Sequence, residues 1–177
     1  GYSSTVEEAE LDLSLSVGEF LLGRGSQTGK LITGNITPDT VVDDLDERNR
    51  TISYQLESTK PSFFPYTAQW DLDLTSSLPM DLQVNNSVGE MRLELADLDL
   101  ISFSSNQGVG RMVVEFPAKI DEVALLKQGV GVIVVEIPDN VRIAVDAMNG
   151  LSRVSFPDDF ELEDGYYTSP GASRSNA

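Results

Sequence analysis

The sequence predicts an all-β protein: a short β-solenoid of stacked single coils with a repeat of about 21 residues. Three observations predict it. First, Ser87-Val88-Gly89-Glu90-Met91-Arg92-Leu93-Glu94-Leu95 returns as Gly108-Val109-Gly110-Arg111-Met112-Val113-Val114-Glu115-Phe116, and again as Gly129-Val130-Gly131-Val132-Ile133-Val134-Val135-Glu136-Ile137. Second, apolar and polar residues alternate strictly over many short stretches, the mark of a strand with one buried face. Third, proline and glycine recur where such strands would end: Phe116-Pro117, Ile137-Pro138 and Phe156-Pro157, with Gly108, Gly129 and Gly150 at a constant interval. Proline fixes φ and removes a donor, and glycine admits φ > 0, so both suit corners.

From the N-terminus, Leu11, Leu13 and Leu15 alternate with Asp12 and Ser14 in a first strand. Ser16-Val17-Gly18-Glu19-Phe20 matches the start of the repeat and reads as a diverged copy. Gly23 to Lys30 has the glycines and lysine of a phosphate loop but not its spacing, since Leu31 follows Lys30; it reads as a turn. Lys30 to Ile36 reads as another strand and Asp43 to Arg50 as a charged turn. Ile52, Tyr54 and Leu56 alternate next. Thr59 to Thr67, with Pro61 and Pro65, is a loop that presents Phe63, Phe64 and Tyr66. These aromatics either cap the end of the stack or form an exposed binding patch. Trp70, Leu72 and Leu74 mark a strand, as do Leu78, Met80, Leu82 and Val84, and Val141, Ile143, Val145 and Ala147.

Each repeat is expected to hold two strands, the glycine-led one and a second carrying Ile101/Phe103, Val123/Leu125 or Ile143/Val145. Shared parity predicts core columns of Met91/Leu93/Leu95, Met112/Val114/Phe116, Ile133/Val135/Ile137 and Val154/Phe156. The organisation is then an N-terminal β cap with irregular coils over 1–69, regular repeats over 70–160 in one continuous domain with it, and a polar tail or linker over 161–177.

Composition removes several function classes. With 29 acidic and 12 basic residues the net charge is -17, a surface that repels nucleic-acid phosphates and anionic lipid. Cysteine and histidine are absent, so a Ser-His-Asp or Cys-His device is impossible, as are thiolate and imidazole metal sites. The apolar run Val130 to Ile137 is too short to cross a bilayer, so membrane insertion by this segment is not expected. Gly1 is not a natural start, and the chain reads as an excised or processed segment, with any anchor or targeting signal outside it.

Candidate sites are ladders rather than clusters. Glu94, Glu115 and Glu136 share one repeat position and should stack roughly 4.8 Å apart. Such a ladder invites a cation or a basic partner, or it is simply splayed into water; the solvated reading is preferred, because three monodentate carboxylates give poor calcium coordination. Val113, Val132 and Val134 share the outward parity and are either a partner-facing apolar stripe or covered by another layer. The acids Asp43, Asp44, Asp46 and Glu47, and the group Asp158, Asp159, Glu161, Glu163 and Asp164, lack the spacing of a calcium loop. No metal or cofactor is expected, and the chain is not read as an enzyme. A carbohydrate-active β-helix stays as a minor alternative, because paired carboxylates need geometry before they mean anything.

The stretch Trp70-Asp71-Leu72-Asp73-Leu74, then Leu78-Pro79-Met80-Asp81-Leu82-Gln83-Val84, then Ser87 to Leu95, then Leu98-Asp99-Leu100, resembles the toast-rack domains of bacterial cell-envelope proteins. These include the C-terminal domain of LiaF-type antibiotic-response proteins and related adhesin-like domains. The resemblance covers most of Leu11 to Phe160. It implies a stack of β-strands, often tethered to a membrane by a segment outside the domain, in stress signalling, adhesion or scaffolding, and it supplies no catalytic residue. The expected function is a non-enzymatic interaction module, extracytoplasmic at the cell envelope, with a protein partner. The alternative is a polymer-forming scaffold whose coils stack end to end between chains.

Overall fold

The computed structural model describes residues 2–25, 29–37, 41–58, 68–120, 124–138, 141–142, 144–146 and 158–172. They contain strands and turns and no helix. The strands are β1 (Glu8–Arg24), β2 (Ile32–Thr37), β3 (Val41–Arg48), β4 (Thr51–Ser58), β5 (Ala68–Leu74), β6 (Met80–Glu94), β7 (Leu100–Glu115), β8 (Ala124–Glu136), β9 (Ala144–Val145), β10 (Glu161–Glu163) and β11 (Tyr166–Thr168). The main sheet is open and runs β2-β5-β1-β6-β7-β8, with β4 also on β1 and β3 on β4. β1, from the stretch expected to form a cap, lies in the middle. β4 follows its first half and β5 its second, both parallel, while β6 follows it along nearly its whole length.

β6, β7 and β8 pair in parallel, and from Asp81 onward each paired residue faces the one 21 positions on, as in Met91↔Met112↔Ile133. Their length shows how the chain gets back to start each new strand. The 15 residues of β6 would span roughly 50 Å if straight. The link from Leu95 to Asp99 reaches about 20 Å at most, yet Leu100 lies beside Met80. β6 must therefore fold back on itself. The bend is at a glycine column: Gly18, Gly89, Gly110 and Gly131 pair in register at φ of 151°, 139°, 143° and 139°. A Cβ on Gly110 would sit 1.8 Å from the Gly89 carbonyl oxygen, so backbones meet there as closely as the ladder allows. The two strands expected per repeat are thus two arms of one bent strand, without a break at Gly108 or Gly129.

Both arms turn one face inward. Leu11, Leu13, Leu82, Val84 and Phe103 from first arms join Phe20, Leu22, Met91, Leu93, Met112 and Val114 from second arms in one buried cluster. Phe103 meets Phe116 edge-on at 5.9 Å, and Phe20 meets its ladder partner Trp70 at 5.6 Å. Of the expected columns, Met91/Met112/Ile133 and Leu93/Val114/Val135 stand in register, but Val135 is 40% exposed where Val114 is 0%. The reason is position: β8 pairs only with β7 among the described residues, so its inward side chains are covered from one side alone. Leu125 is likewise exposed; β7 and β8 keep a constant offset of 21, so Ala124 pairs with Phe103 and Leu125 pairs with Ser104 of the outward row. Val123, Ile143, Gly150, Val154 and Phe156 lie outside the described residues.

One further reading is corrected. Asp43 to Arg48 is strand, not turn, because β3 pairs with β4 over its full length; only Asn49 and Arg50, at φ of 51° and 73°, make the hairpin turn. Within the C-terminal stretch, Glu161 to Thr168 form a hairpin of β10 and β11 turned by Asp164-Gly165, with Val145 paired to Tyr167.

Candidate functional site

The bend carries a polar device inside the core. The side-chain amide of each residue three before a bend glycine donates to the bend carbonyl of the strand before. Asn86 Nδ2 reaches Gly18 O at 3.3 Å, Gln107 Nε2 reaches Gly89 O at 2.7 Å, and Gln128 Nε2 reaches Gly110 O at 2.6 Å. Gln128 Nε2 also lies 3.3 Å from Gln107 Oε1. A sharply bent strand turns its carbonyl out of the ladder, and burial would leave that oxygen without a donor; the amides supply one. Sequence reasoning missed this ladder, although Asn86, Gln107 and Gln128 stand at the repeat interval.

On the outward face of the second arms the acidic ladder is in register, Glu94↔Glu115↔Glu136. Glu94 and Glu115 are half-buried and Glu136 is exposed. Arg92 Nε lies 2.8 Å from Glu94 Oε1. Its guanidinium is held above its usual range by that hydrogen bond and by the Glu94 charge, against desolvation, with Glu136 and Glu115 adding to the rise. The row extends further than the repeat shows. Gly23 pairs with Asp73, and a Cβ at Gly23 would lie 3.4 Å from Asp73 Oδ1 and 3.9 Å from Glu94 Oε2. Among the described residues no group of acids is arranged to hold a metal ion.

Val113 and Val134 share the row of Arg92 and are half-buried. Val132 is in the next row, beside Arg111 and Glu90, and is 51% exposed. Arg92, Arg111, Glu19, Glu90, Leu21 and Val113 border an open depression of about 380 Å³. A second apolar row, unforeseen from sequence, runs over the outside of the bend: Val88, Val109 and Val130 pair in register and are all exposed. Phe63, Phe64 and Tyr66 lie outside the described residues.

The outward face of the first arms is polar. Ser53, Glu10, Asp81 and Ser102 form one row across β4, β1, β6 and β7, and Gln55, Asp12, Gln83 and Ser104 form the next. With Asp44 and Asp46 of β3 they line an open hollow of about 520 Å³. Tyr54 is half-buried at this end; burial pushes its hydroxyl up, and the charge and hydrogen bond of Asp43 push the same way.

The family model for the N-terminal domain of toast_rack (DUF2154) matches residues 3–136, from the approach to β1 through the last residue of β8. The chain belongs to this family. The fold is also similar to that of a solved protein, the crystal structure of a "putative cell adhesion protein" from Clostridium sporogenes ATCC 15579. The two superpose with a TM-score of 0.76 at 15% identity, covering 96% of this chain and 84% of that one, a likeness of fold. No curated protein matches the chain. No described helix is long and apolar enough to cross a membrane.

Proposed function

We propose that this chain is a non-enzymatic interaction module of a bacterial cell-envelope protein, a β-solenoid whose outward ladders meet a protein partner in adhesion, scaffolding or stress sensing. The 21-residue ladder offset supports reading each of β6, β7 and β8, with its link, as one coil. On this reading the N-terminal stretch 1–69 and the coils of 70–160 form one continuous domain, and 161–177 is a polar tail that begins with the β10–β11 hairpin. The domain sits outside the cytoplasm, tethered by a segment beyond this chain.

The observation that carries the proposal is the form of the surface. Its polar groups repeat side by side along flat rows instead of converging on a point. Glu10 and Asp81 are ladder neighbours that project from one face; a glycosidase needs two carboxyls on either side of a bond. Val113, Val132, Val134 and the bend row of Val88, Val109 and Val130 are the partner-facing apolar positions. The ladder Glu94, Glu115, Glu136 is solvated and confers an acidic stripe. Nucleic acid is not a partner, given the net charge of -17.

A photoreactive side chain at Val109 tests the reading in cells. A protein adduct recovered in the envelope fraction is expected; a chain confined to the cytosol without adduct would sink it. Calorimetry with calcium should show no site tighter than about millimolar. A micromolar site lost in Glu115→Gln would move the module into ion-dependent adhesion. The second reading, an end-to-end polymer, draws on the edge of β8 with which no described strand pairs. Sedimentation that grows without limit with concentration would favour it.

A further inference from the structure

We propose that the outward face of the second arms of β7 and β8 is a docking site for one amphipathic α-helix of a partner protein, laid along the strands with its basic end over Glu115 and Glu136. The inference rests on the interaction-module reading and specifies its mode.

The outward face changes character from β6 to β8. In β6 the second arm alternates, Glu90-Met91-Arg92-Leu93-Glu94, as a strand with one wet face does. At the ladder positions of Glu90 and Arg92, β8 carries Val132 and Val134. Its run Val130-Gly131-Val132-Ile133-Val134-Val135 is apolar on both sides, the pattern of a parallel strand covered on both faces. Val109 and Val113 of β7 join Val130, Val132 and Val134 in one outward patch two strands wide. Val109, Val130 and Val132 are 47%, 44% and 51% exposed. A strand added beyond β8 would widen the sheet and leave these side chains on the same outward face, so the patch does not depend on what pairs with the β8 edge.

Dimensions point to the occupant. Two adjacent strands cover roughly 10 Å, and the stretch from Val130 to Glu136 runs roughly 20 Å. An α-helix is about 10–12 Å across, and about 14 residues of it span that length. Helices lying on the faces are also what covers parallel sheets.

Charge sets the direction. Glu115 and Glu136 close the far end of the patch, and neither has a salt-bridge partner among the described residues, while the neighbouring Arg92 is held by Glu94. Arg111 stands between Val109 and Val113, exposed and likewise without a salt bridge among the described residues. Arg111 and Glu115 are roughly 13 Å apart along β7. The complementary helix therefore carries lysine or arginine at one end and an acidic residue about nine positions away. A second copy of this chain does not meet these terms: its described residues hold no helix, and each copy bears a net charge of -17.

The test screens the whole chain against two displayed libraries of peptides about 14 residues long. One is an amphipathic helix randomised on its apolar face and at its ends; the other is the same library with a central proline, which breaks the helix. Enriched helical sequences should carry a basic end and bind the chain in solution. Val132→Asn, at an exposed site that should leave the melt unchanged, should weaken them at least about tenfold. Glu136→Lys should weaken them as well, and a screen against that variant should no longer enrich a basic end. No enrichment, binders drawn equally from the proline library, binders indifferent to Val132→Asn, or a basic end retained against Glu136→Lys would overturn the proposal. Binding of the chain to phosphatidylcholine vesicles that Val132→Asn abolishes would also overturn it, by assigning the face to lipid. Such a failure removes the helix as occupant, while the cross-link at Val109 decides the interaction-module reading separately.

Discussion

β7 and β8 are near copies in sequence and differ in what the fold does with them. Met112 and Val114 of β7 are fully buried between β6 and β8. Ile133 and Val135 of β8 occupy the same repeat positions, with a strand on one side alone among the described residues. Gln107 has its amide oxygen faced by Gln128, and Gln128 has none facing its own. The difference teaches that in a stacked sheet the burial of a side chain belongs to the neighbouring strand as much as to the residue. A repeat can specify which way a side chain points; it cannot specify whether the next layer is there.

The largest expected effect is at the core row. Val114→Asp puts a charge without a partner into a filled interior and should cost more than about 4 kcal/mol, enough to unfold the chain. Val135→Asp leaves its charge against water and should cost about 1 kcal/mol or less. Denaturant melts of the two variants measure the contrast; similar losses would mean that the β8 end is covered in solution.

Next is the bend. Gly110→Ala drives a Cβ into the Gly89 carbonyl oxygen and should cost about 3 kcal/mol, since that backbone is held by strands on both sides. Gly131→Ala meets the Gly110 carbonyl equally closely, but among the described residues β8 is held by β7 alone and can shift away from it, so a smaller loss is expected in the same melts.

The amide ladder gives a third, smaller contrast. Gln107→Leu removes the donor to the Gly89 carbonyl and should cost about 1–3 kcal/mol. Gln128→Leu strips the Gly110 carbonyl in the same way but also deletes an acceptor that had no partner, so its cost should be lower. Equal costs would show that Gln128 Oε1 is satisfied in solution.

The smallest effect lies at the opposite end of the stack, at Tyr54. Burial and Asp43 raise its pKa in the folded state above the usual tyrosine value of 10.0. The unfolded chain therefore loses this proton first as the pH rises. Stability should be intact below about pH 10 and should fall as the pH climbs from there through the folded-state value. Tyr54→Phe should flatten that alkaline part of the stability curve. An unchanged slope in the variant would assign the loss to other groups.

Much of the stack was legible because the repeat interval is also the ladder offset. Once Glu94, Glu115 and Glu136 share a sequence phase, parallel pairing leaves them no choice but to stand in a row. The partners of β1 were not legible. Asp12 pairs with Gln55 on one side and Gln83 on the other, at separations that no period announces, so the extension of the acidic row to Asp73 was hidden too. β3 was read as a turn because aspartate disfavours strands; pairing with β4 overrides that preference. The Asn86–Gln107–Gln128 ladder and the Asp164-Gly165 hairpin were written in the sequence and were passed over, the first because polar residues at a core parity read as noise beside the valines.

By itself the sequence determined what is local and periodic: alternation set the faces, the constant interval set the register, and glycine at that interval set the bend. These follow from steric rules that act within one strand and its copy. The tertiary structure alone decided which strands flank β1, where the core stops and which valines remain in water, because those depend on contacts between segments whose spacing carries no signal. Val114 and Val135 obey the same local rules. Among the described residues, a strand pairs on both sides of Val114 and on one side of Val135, and that separates a core residue from an exposed one.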